Sequence, residues 1–190
     1  MRVIGGTCRG RPLRAPAGTT TRPTADRVRE AIFDVLGSIQ SLEGCRVLDL
    51  FAGSGAMGIE ALSRGATRAV FVDKAPEACA AVRSNLTGLG LDDRGTVVRA
   101  DVLSWLVRAD TEDASDADLA LCDPPYDFER WEALLGRLPP PLAVLESSRP
   151  VELAPPWEVV RHKRYGGTLV TVARRARSGP IHEVREKGSP

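Results

Sequence analysis

With 190 residues, 43% of them hydrophobic and 27% charged, the chain has an ordinary globular composition, enough for one α/β domain with a full core and no second large domain. No apolar run approaches the roughly 18 residues of a membrane span, residues 1–6 carry no apolar signal region, and Cys8, Cys45, Cys79 and Cys122 lie far apart without a C-x-x-C pair. A reduced, cytoplasmic protein without membrane contact and without a metal site is expected. The net charge of +1 hides an uneven distribution: residues 1–30 hold seven arginines against Asp26 and Glu30, residues 161–177 are basic without an acid, and residues 110–118 are acidic.

In chain order, residues 2–4 and 12–14 read as the strands of a short hairpin around Gly5, Gly6 and Gly10. Residues 15–23 form a Gly/Thr/Pro loop with no core-forming residue. Thr24 is the expected N-cap of a helix carrying Val28, Ile32, Val35 and Leu36 at helical spacing, with Gly37 as its stop. The pattern then alternates. Strands are expected at 47–51, 68–72 and 96–99, each followed by a helix (56–64, 76–86 and 103–108). After the acidic loop come a strand at 118–122, a helix at 129–137 and a strand at 142–146. Residues 151–165 and 168–173 complete the pattern as an antiparallel pair turning at Gly166 and Gly167. The order implies a doubly wound, seven-stranded, mostly parallel sheet with an antiparallel edge. Residues 1–40 are expected as an extension of a hairpin and a helix, 41–175 as the main domain and 176–190 as a flexible polar tail.

Chemistry is expected at the carboxyl ends of the strands, where open α/β sheets bind ligands. Asp123, Pro124, Pro125 and Tyr126 follow the apolar run 119–122 directly. Two prolines fix φ and remove two backbone donors, which leaves outward carbonyls between a carboxylate and a phenol, a setting suited to a planar amino group. Asp49, Phe51, Gly53, Ser54 and Gly55 close the first strand and open a helix, a turn that lets backbone approach a ligand. Gly53, Gly55 and Gly58 also match a dinucleotide-binding glycine pattern, with Asp73 twenty residues beyond Gly53. The acidic Asp49 suits a cationic or amine-bearing ligand better than a pyrophosphate. S-adenosylmethionine, with its sulfonium and amino group, fits. Asp73, with Lys74 beside it, would meet ribose hydroxyls, and Asp101 with Val102 would meet the adenine.

A glycine turn together with D-P-P-Y resembles the class I S-adenosylmethionine-dependent amino-methyltransferases, whose fold is Rossmann-like. The stretches R-V-I-G-G at 2–6, R-G-R at 9–11, R-P-T-A-D-R-V-R-E at 22–30 and F-A-G-S-G at 51–55 extend the likeness to the RsmD family over about residues 1–175. Asp34, where many relatives carry asparagine, and the tail beyond Arg177 depart from the family pattern without touching the inferred chemistry. The resemblance implies methylation of a guanine N2 amine in 16S ribosomal RNA, with guanine 966 as the family target, on a 30S particle or an assembly intermediate, by a monomer. Asp123, Pro124, Pro125 and Tyr126 would hold the reacting amine and stack the base. Arg2, Arg9, Arg11, Arg14, Arg22, Thr24 and Arg27 would hold the RNA. Competing readings are an amino-methyltransferase for DNA adenine or protein glutamine, a non-catalytic RNA-binding module, and an NAD-dependent oxidoreductase. Trp105, Trp131, Trp157 and His162 are read as packing or surface residues.

Overall fold

Consecutive strand residues are buried alternately against two different apolar layers, so the sheet has to be covered on both faces. In β1 (Arg46–Leu50), Val47 faces one layer while Leu48 and Leu50 face the other; in β4 (Leu119–Cys122), Leu119 and Leu121 alternate with Ala120 and Cys122. The computed structural model describes residues 1–17, 23–108 and 112–176. It is one seven-stranded sheet in the order β3-β2-β1-β4-β5-β7-β6. The first five strands are parallel: β1, β2 (Arg68–Asp73), β3 (Gly95–Arg99), β4 and β5 (Leu142–Ser147). β6 (Trp157–Tyr165) and β7 (Thr168–Arg175) form the antiparallel hairpin, with β7 against β5.

Helices α1 (Pro23–Ile39), α2 (Ala56–Ser63) and α3 (Pro76–Leu89) pack into one layer through Val28, Ile32, Leu36, Ile59, Leu62, Val82 and Leu86. The opposite layer holds α4 (Val102–Arg108) and α6 (Trp131–Leu135), through Leu103, Leu106, Leu134 and Leu135. The sequence direction reverses between β1 and β4, which places the switch point of the sheet beside Asp49 and Asp123.

Several elements differ from the pattern reading. Helix α1 starts at Pro23, so Thr24 lies in its first turn, and it runs through Gly37 to Ile39. Gly37 has no positive φ, and Leu36 and Ile39 keep the helix against the core, so burial carries it past the expected stop. The N-terminal segment forms a ribbon rather than two strands. A single antiparallel bridge joins Arg2 and Pro12, supported by bonds from Val3 N to Arg11 O (3.0 Å) and from Leu13 N to Met1 O (3.1 Å). Gly5, Gly6 and Gly10 leave too few extended residues for a ladder. Val3 and Leu13 bury into the α1 layer, so the extension shares the main core. Helix α6 begins at Trp131 because Arg130 has a non-helical backbone, and β6 begins at Trp157 because Pro155 and Pro156 cannot donate to a ladder. The acidic segment contains a four-residue helix, α5 (Glu112–Ser115). The tail expected at 176–190, beyond Ala176, and most of the loop at 15–23, including Arg22, lie outside the described residues. Among the described residues, no helix is long and apolar enough to cross a membrane.

Candidate active site

The glycine turn after β1 is built by backbone conformation. Phe51 has φ 62°, Gly53 φ 54° and Gly55 φ 76°. A non-glycine residue in the left-handed region costs about 1–3 kcal/mol, and such residues cluster at functional sites. A Cβ on Gly53 would meet nothing closer than 4.0 Å, so its missing side chain leaves backbone open to the adjoining cavity. A Cβ on Gly55 would instead press on Val82 and Phe71, at 3.1 and 3.2 Å. Gly55 therefore allows α2 to sit close to the sheet. Ser54 is buried, and its hydroxyl lies 3.4 Å from the Met1 sulfur.

The three strand-end aspartates are used in three ways. Asp49 is buried beneath the turn and accepts the Gly58 N–H at 2.8 Å. Burial pushes its carboxyl up to about 8 against the lowering effect of that N–H, and the charges of Asp123 and Asp73 add to the rise. Asp73 ties the turn to β2: one oxygen accepts Gly53 N–H and the other Ala75 N–H, both at 2.9 Å. Asp101 accepts the Ser104 N–H at 2.9 Å, and the backbone and hydroxyl of Ser104 hold its carboxyl below the usual range. It thus caps α4 while its side chain stays exposed.

Asp73, Lys74, Asp101, Val102, Phe51 and Gly53 line a cavity of about 730 Å³, closed on the far side by the D-P-P-Y loop and residues 127–130. Phe128 anchors that wall, with ring centroids 5.2 Å from Phe51 and 5.1 Å from Trp131. A second cavity, of about 280 Å³, lies across the same loop. Asp123, Pro124 and Tyr126 face it together with Val28 of α1, Glu146 and Ser147 of β5, and residues 165–168 of the β6–β7 hairpin. Asp123, Pro124 and Tyr126 therefore form a wall shared by two chambers. Asp123 is open to them, yet desolvation by the surrounding protein pushes its carboxyl up to about 6. Tyr126 is 63% exposed, an aromatic face presented to solvent.

Sequence reasoning passed over Glu146, Val28 and residues 165–168 on one side and Leu103 and residues 127–130 on the other. Applying the strand-end rule to β5 as well would have found Glu146. It also passed over Arg29 and Glu60, both buried, with Arg29 Nε 3.7 Å from Glu60. Arg29 donates to Arg2 O (2.5 Å) and Asp26 (3.0 Å), while Glu60 accepts Ile4 N–H (2.8 Å), Gly5 N–H (2.7 Å) and Arg64 Nε (2.8 Å). This node docks the basic segment onto α1 and α2. Arg2, Arg9, Arg11, Arg14 and Arg27 are all exposed. Arg11 reaches Gly88 O at 2.7 Å and Arg14 reaches the Ser84 hydroxyl at 3.5 Å, so both lie along α3. Arg22 and the Thr24 side chain fall outside the described residues. Trp157 is core, with Nε1 bonded to Leu135 O at 3.0 Å, and His162 is a surface residue bonded to Thr171. Among the described residues, no cluster of His, Cys, Asp and Glu could hold a metal ion.

Comparison with known proteins gives this architecture a family. The model for the family described as conserved hypothetical protein 95 matches residues 1–174. The YlbH protein of Bacillus subtilis (strain 168) is 47% identical over 135 residues, covering 71% of this chain and 72% of that one. Ribosomal RNA small subunit methyltransferase D of Haemophilus influenzae (strain ATCC 51907 / DSM 11121 / KW20 / Rd) is 30% identical over 176 residues, covering 87% and 89%. Among solved structures, the yhhF protein of Escherichia coli superposes with a TM-score of 0.79 at 30% identity, covering 93% of this chain and 98% of that one. The chain belongs to the conserved hypothetical protein 95 family, the RsmD family of ribosomal RNA methyltransferases.

Proposed function

We propose that the protein transfers a methyl group from S-adenosylmethionine to the exocyclic N2 amine of a guanine in 16S ribosomal RNA, guanine 966 as the family resemblance implies. It acts in the cytoplasm, as a monomer, on the small ribosomal subunit or a precursor of it. The observation that carries this reading is the wall of Asp123, Pro124 and Tyr126 between a nucleoside-sized cavity and a second chamber. The name of the Haemophilus relative supports the ribosomal RNA part.

The residues of the larger cavity fit the methyl donor. Asp73 keeps lone pairs for ribose hydroxyls after accepting its two backbone N–H groups, Asp101 and Val102 line the same cavity and would meet the adenine, and the Gly53 turn and Phe51 offer bare backbone and an apolar ring. Lys74 lines the same rim. A sulfonium or ammonium nearby favours the charged form of Asp49, whose burial otherwise resists ionisation. When bound, the donor would supply an activated methyl, its carbon–sulfur bond breaking as the carbon–nitrogen bond forms, with the proton shed by the methylated amine passing to solvent.

This chain's own residues orient the acceptor. The N2 lone pair is delocalised into the guanine ring, so the amine has to be held and bent from planarity. Asp123 and the Pro124 carbonyl accept its two N–H groups, and Asp123 does so without removing a proton beforehand, because the amine becomes acidic only as the methyl arrives. Alignment of this kind contributes up to about 7–11 kcal/mol to lowering a barrier. Tyr126 stacks on the base, worth about 1–3 kcal/mol, which offsets part of the few kcal/mol needed to unstack it from RNA. Arg2, Arg9, Arg11, Arg14, Arg22, Thr24 and Arg27 hold the RNA backbone.

Asp123→Ala should abolish methyl transfer while calorimetric binding of S-adenosylmethionine stays nearly unchanged; retained turnover refutes the mechanism. Calorimetry with NAD alongside decides between cofactors, and preferential NAD binding overturns the assignment. Nucleoside mass spectrometry of 16S RNA from cells lacking the protein should show one N2-methylguanosine missing.

A further inference from the structure

β4 and β5 pair in parallel with Cys122 opposite Leu145, so Asp123 and Glu146 occupy the next register position at two adjacent strand ends. Parallel neighbours lie about 4.8 Å apart, which brings the two carboxylates side by side at one cavity mouth. Alternation along β5 turns Glu146 toward the α1 layer: Leu142 and Val144 face that layer and Leu145 the other. Glu146 accordingly lines the smaller chamber with Asp123, Pro124, Tyr126 and Val28. Among the described residues its carboxylate has no hydrogen-bond partner.

We infer that Glu146 reads the base, accepting the N1–H of the target guanine while Asp123 and the Pro124 carbonyl hold the N2 amine. This rests on the guanine reading proposed above and deepens it. An ionised carboxylate is an acceptor only. Guanine presents two adjacent donors along this edge, N1–H and N2–H₂, and two carboxylates on neighbouring strands match that pair. Adenine presents a bare N1 lone pair at the corresponding place, which the ionised carboxylate repels. Glu146 thus supplies the choice of base that the D-P-P-Y loop, common to any planar amine, cannot make. Burial and the Asp123 charge push the Glu146 carboxyl up to about 8, with Arg29 opposing. An N–H donated to its charged form reverses that shift, so the group is costly to leave ionised in an empty chamber and is satisfied by a guanine.

The test replaces the target guanine with 2-aminopurine in 16S RNA assembled into small subunits. This base keeps the 2-amino group and carries a lone pair at N1. Wild-type enzyme should prefer guanine in kcat/KM, the more so as pH rises from about 7 to 9 and by at least about 10-fold at the upper end, because only the ionised carboxylate rejects a base that lacks the N–H, whereas its protonated form can donate to the bare N1. In Glu146→Gln the amide donates to the bare N1 at every pH, so the preference and its rise with pH should disappear, chiefly through gain on 2-aminopurine, with S-adenosylmethionine affinity unchanged. An unchanged preference overturns the inference. So does loss of activity on both bases with cofactor affinity intact, since a purely structural role would produce it. Failure of the wild-type protein to methylate guanine would instead overturn the function on which the inference rests.

Discussion

Replacing Glu60 with alanine should undock the basic N-terminal segment and measurably destabilise the whole fold. Its carboxylate is 1% exposed and serves four partners: the Ile4 and Gly5 amides, Arg64 and the neighbouring Arg29 guanidinium. Arg29 is itself 3% exposed, and its Nε already lacks a hydrogen bond among the described residues. Removing the acid leaves a buried positive charge whose hydrogen bonds, among the described residues, go only to Asp26 and the Arg2 carbonyl, with the Glu146 carboxyl as a further acid in its field. Breaking a buried pair in this way costs about 3–5 kcal/mol. The Ile4 and Gly5 amides are half-buried and can turn to water, so they add little. A loss of about 3–5 kcal/mol corresponds to a fall in Tm of about 6–20 °C for a chain of this size. Urea unfolding of the full chain, with hydrogen exchange at residues 3–10, measures both the loss and its location. Glu60→Gln, which keeps an acceptor but not the charge, should fall between wild type and alanine. A loss below about 1 kcal/mol for the alanine variant, or unchanged exchange at Ile4 and Gly5, refutes the view that this buried charge holds the segment in place.

Stability should also depend on pH in a defined direction. Asp49 and Glu146 are each raised to about 8 in the folded state. The folded protein therefore retains protons that the unfolded chain has released above pH 4. Their stabilising effect is complete below that pH and is lost as pH rises through 8, by up to about 1.4 kcal/mol per pH unit for each group. Thermal melts of the ligand-free protein from pH 5 to 9 should slope downward, and Asp49→Asn should flatten the slope; an upward slope contradicts the burial of these acids. Asp73→Ala removes charge-assisted bonds worth about 1.5–3 kcal/mol and frees the Gly53 turn. Cofactor affinity should fall roughly 10- to 150-fold by calorimetry, and an unchanged Kd removes Asp73 from the cofactor site. RNA binding should weaken with salt at a slope near −3.5 if about five phosphates are neutralised on a single-stranded segment. Arg9→Ala should reduce that slope by about 0.7, and a slope near zero excludes a phosphate grip.

The alternation of strands with helices and the two covered faces were legible because β1, β2, β4 and β5 read as short, largely apolar runs, each followed by a different pattern, as strands buried on both faces do. The glycine turn and the D-P-P-Y loop were legible because their chemistry is contiguous. Legibility stopped where a contact joins distant residues. Nothing local to Arg29 announces a partner at Glu60, and nothing in the β1 run says that Asp49 spends an oxygen on Gly58 N–H. Gly37 misled because glycine is a stop only where φ turns positive, and burial of Leu36 and Ile39 kept it helical. Residues 151–156 carried their own warning in Pro155 and Pro156. Glu146 stood at a strand end like the aspartates before it, and it gained meaning only when α1 and the β6–β7 hairpin were seen to close over it.

The shared wall also divides the two chambers in time. Every residue lining the larger cavity lies between Phe51 and Arg130, whereas the smaller one draws on Val28 near the start of the chain and on Thr168 near its end. As the polypeptide leaves the ribosome, the larger cavity has all its residues while the smaller one still awaits the β6–β7 hairpin. Under the proposed function, the residues for the methyl donor are thus made before those for the base are complete.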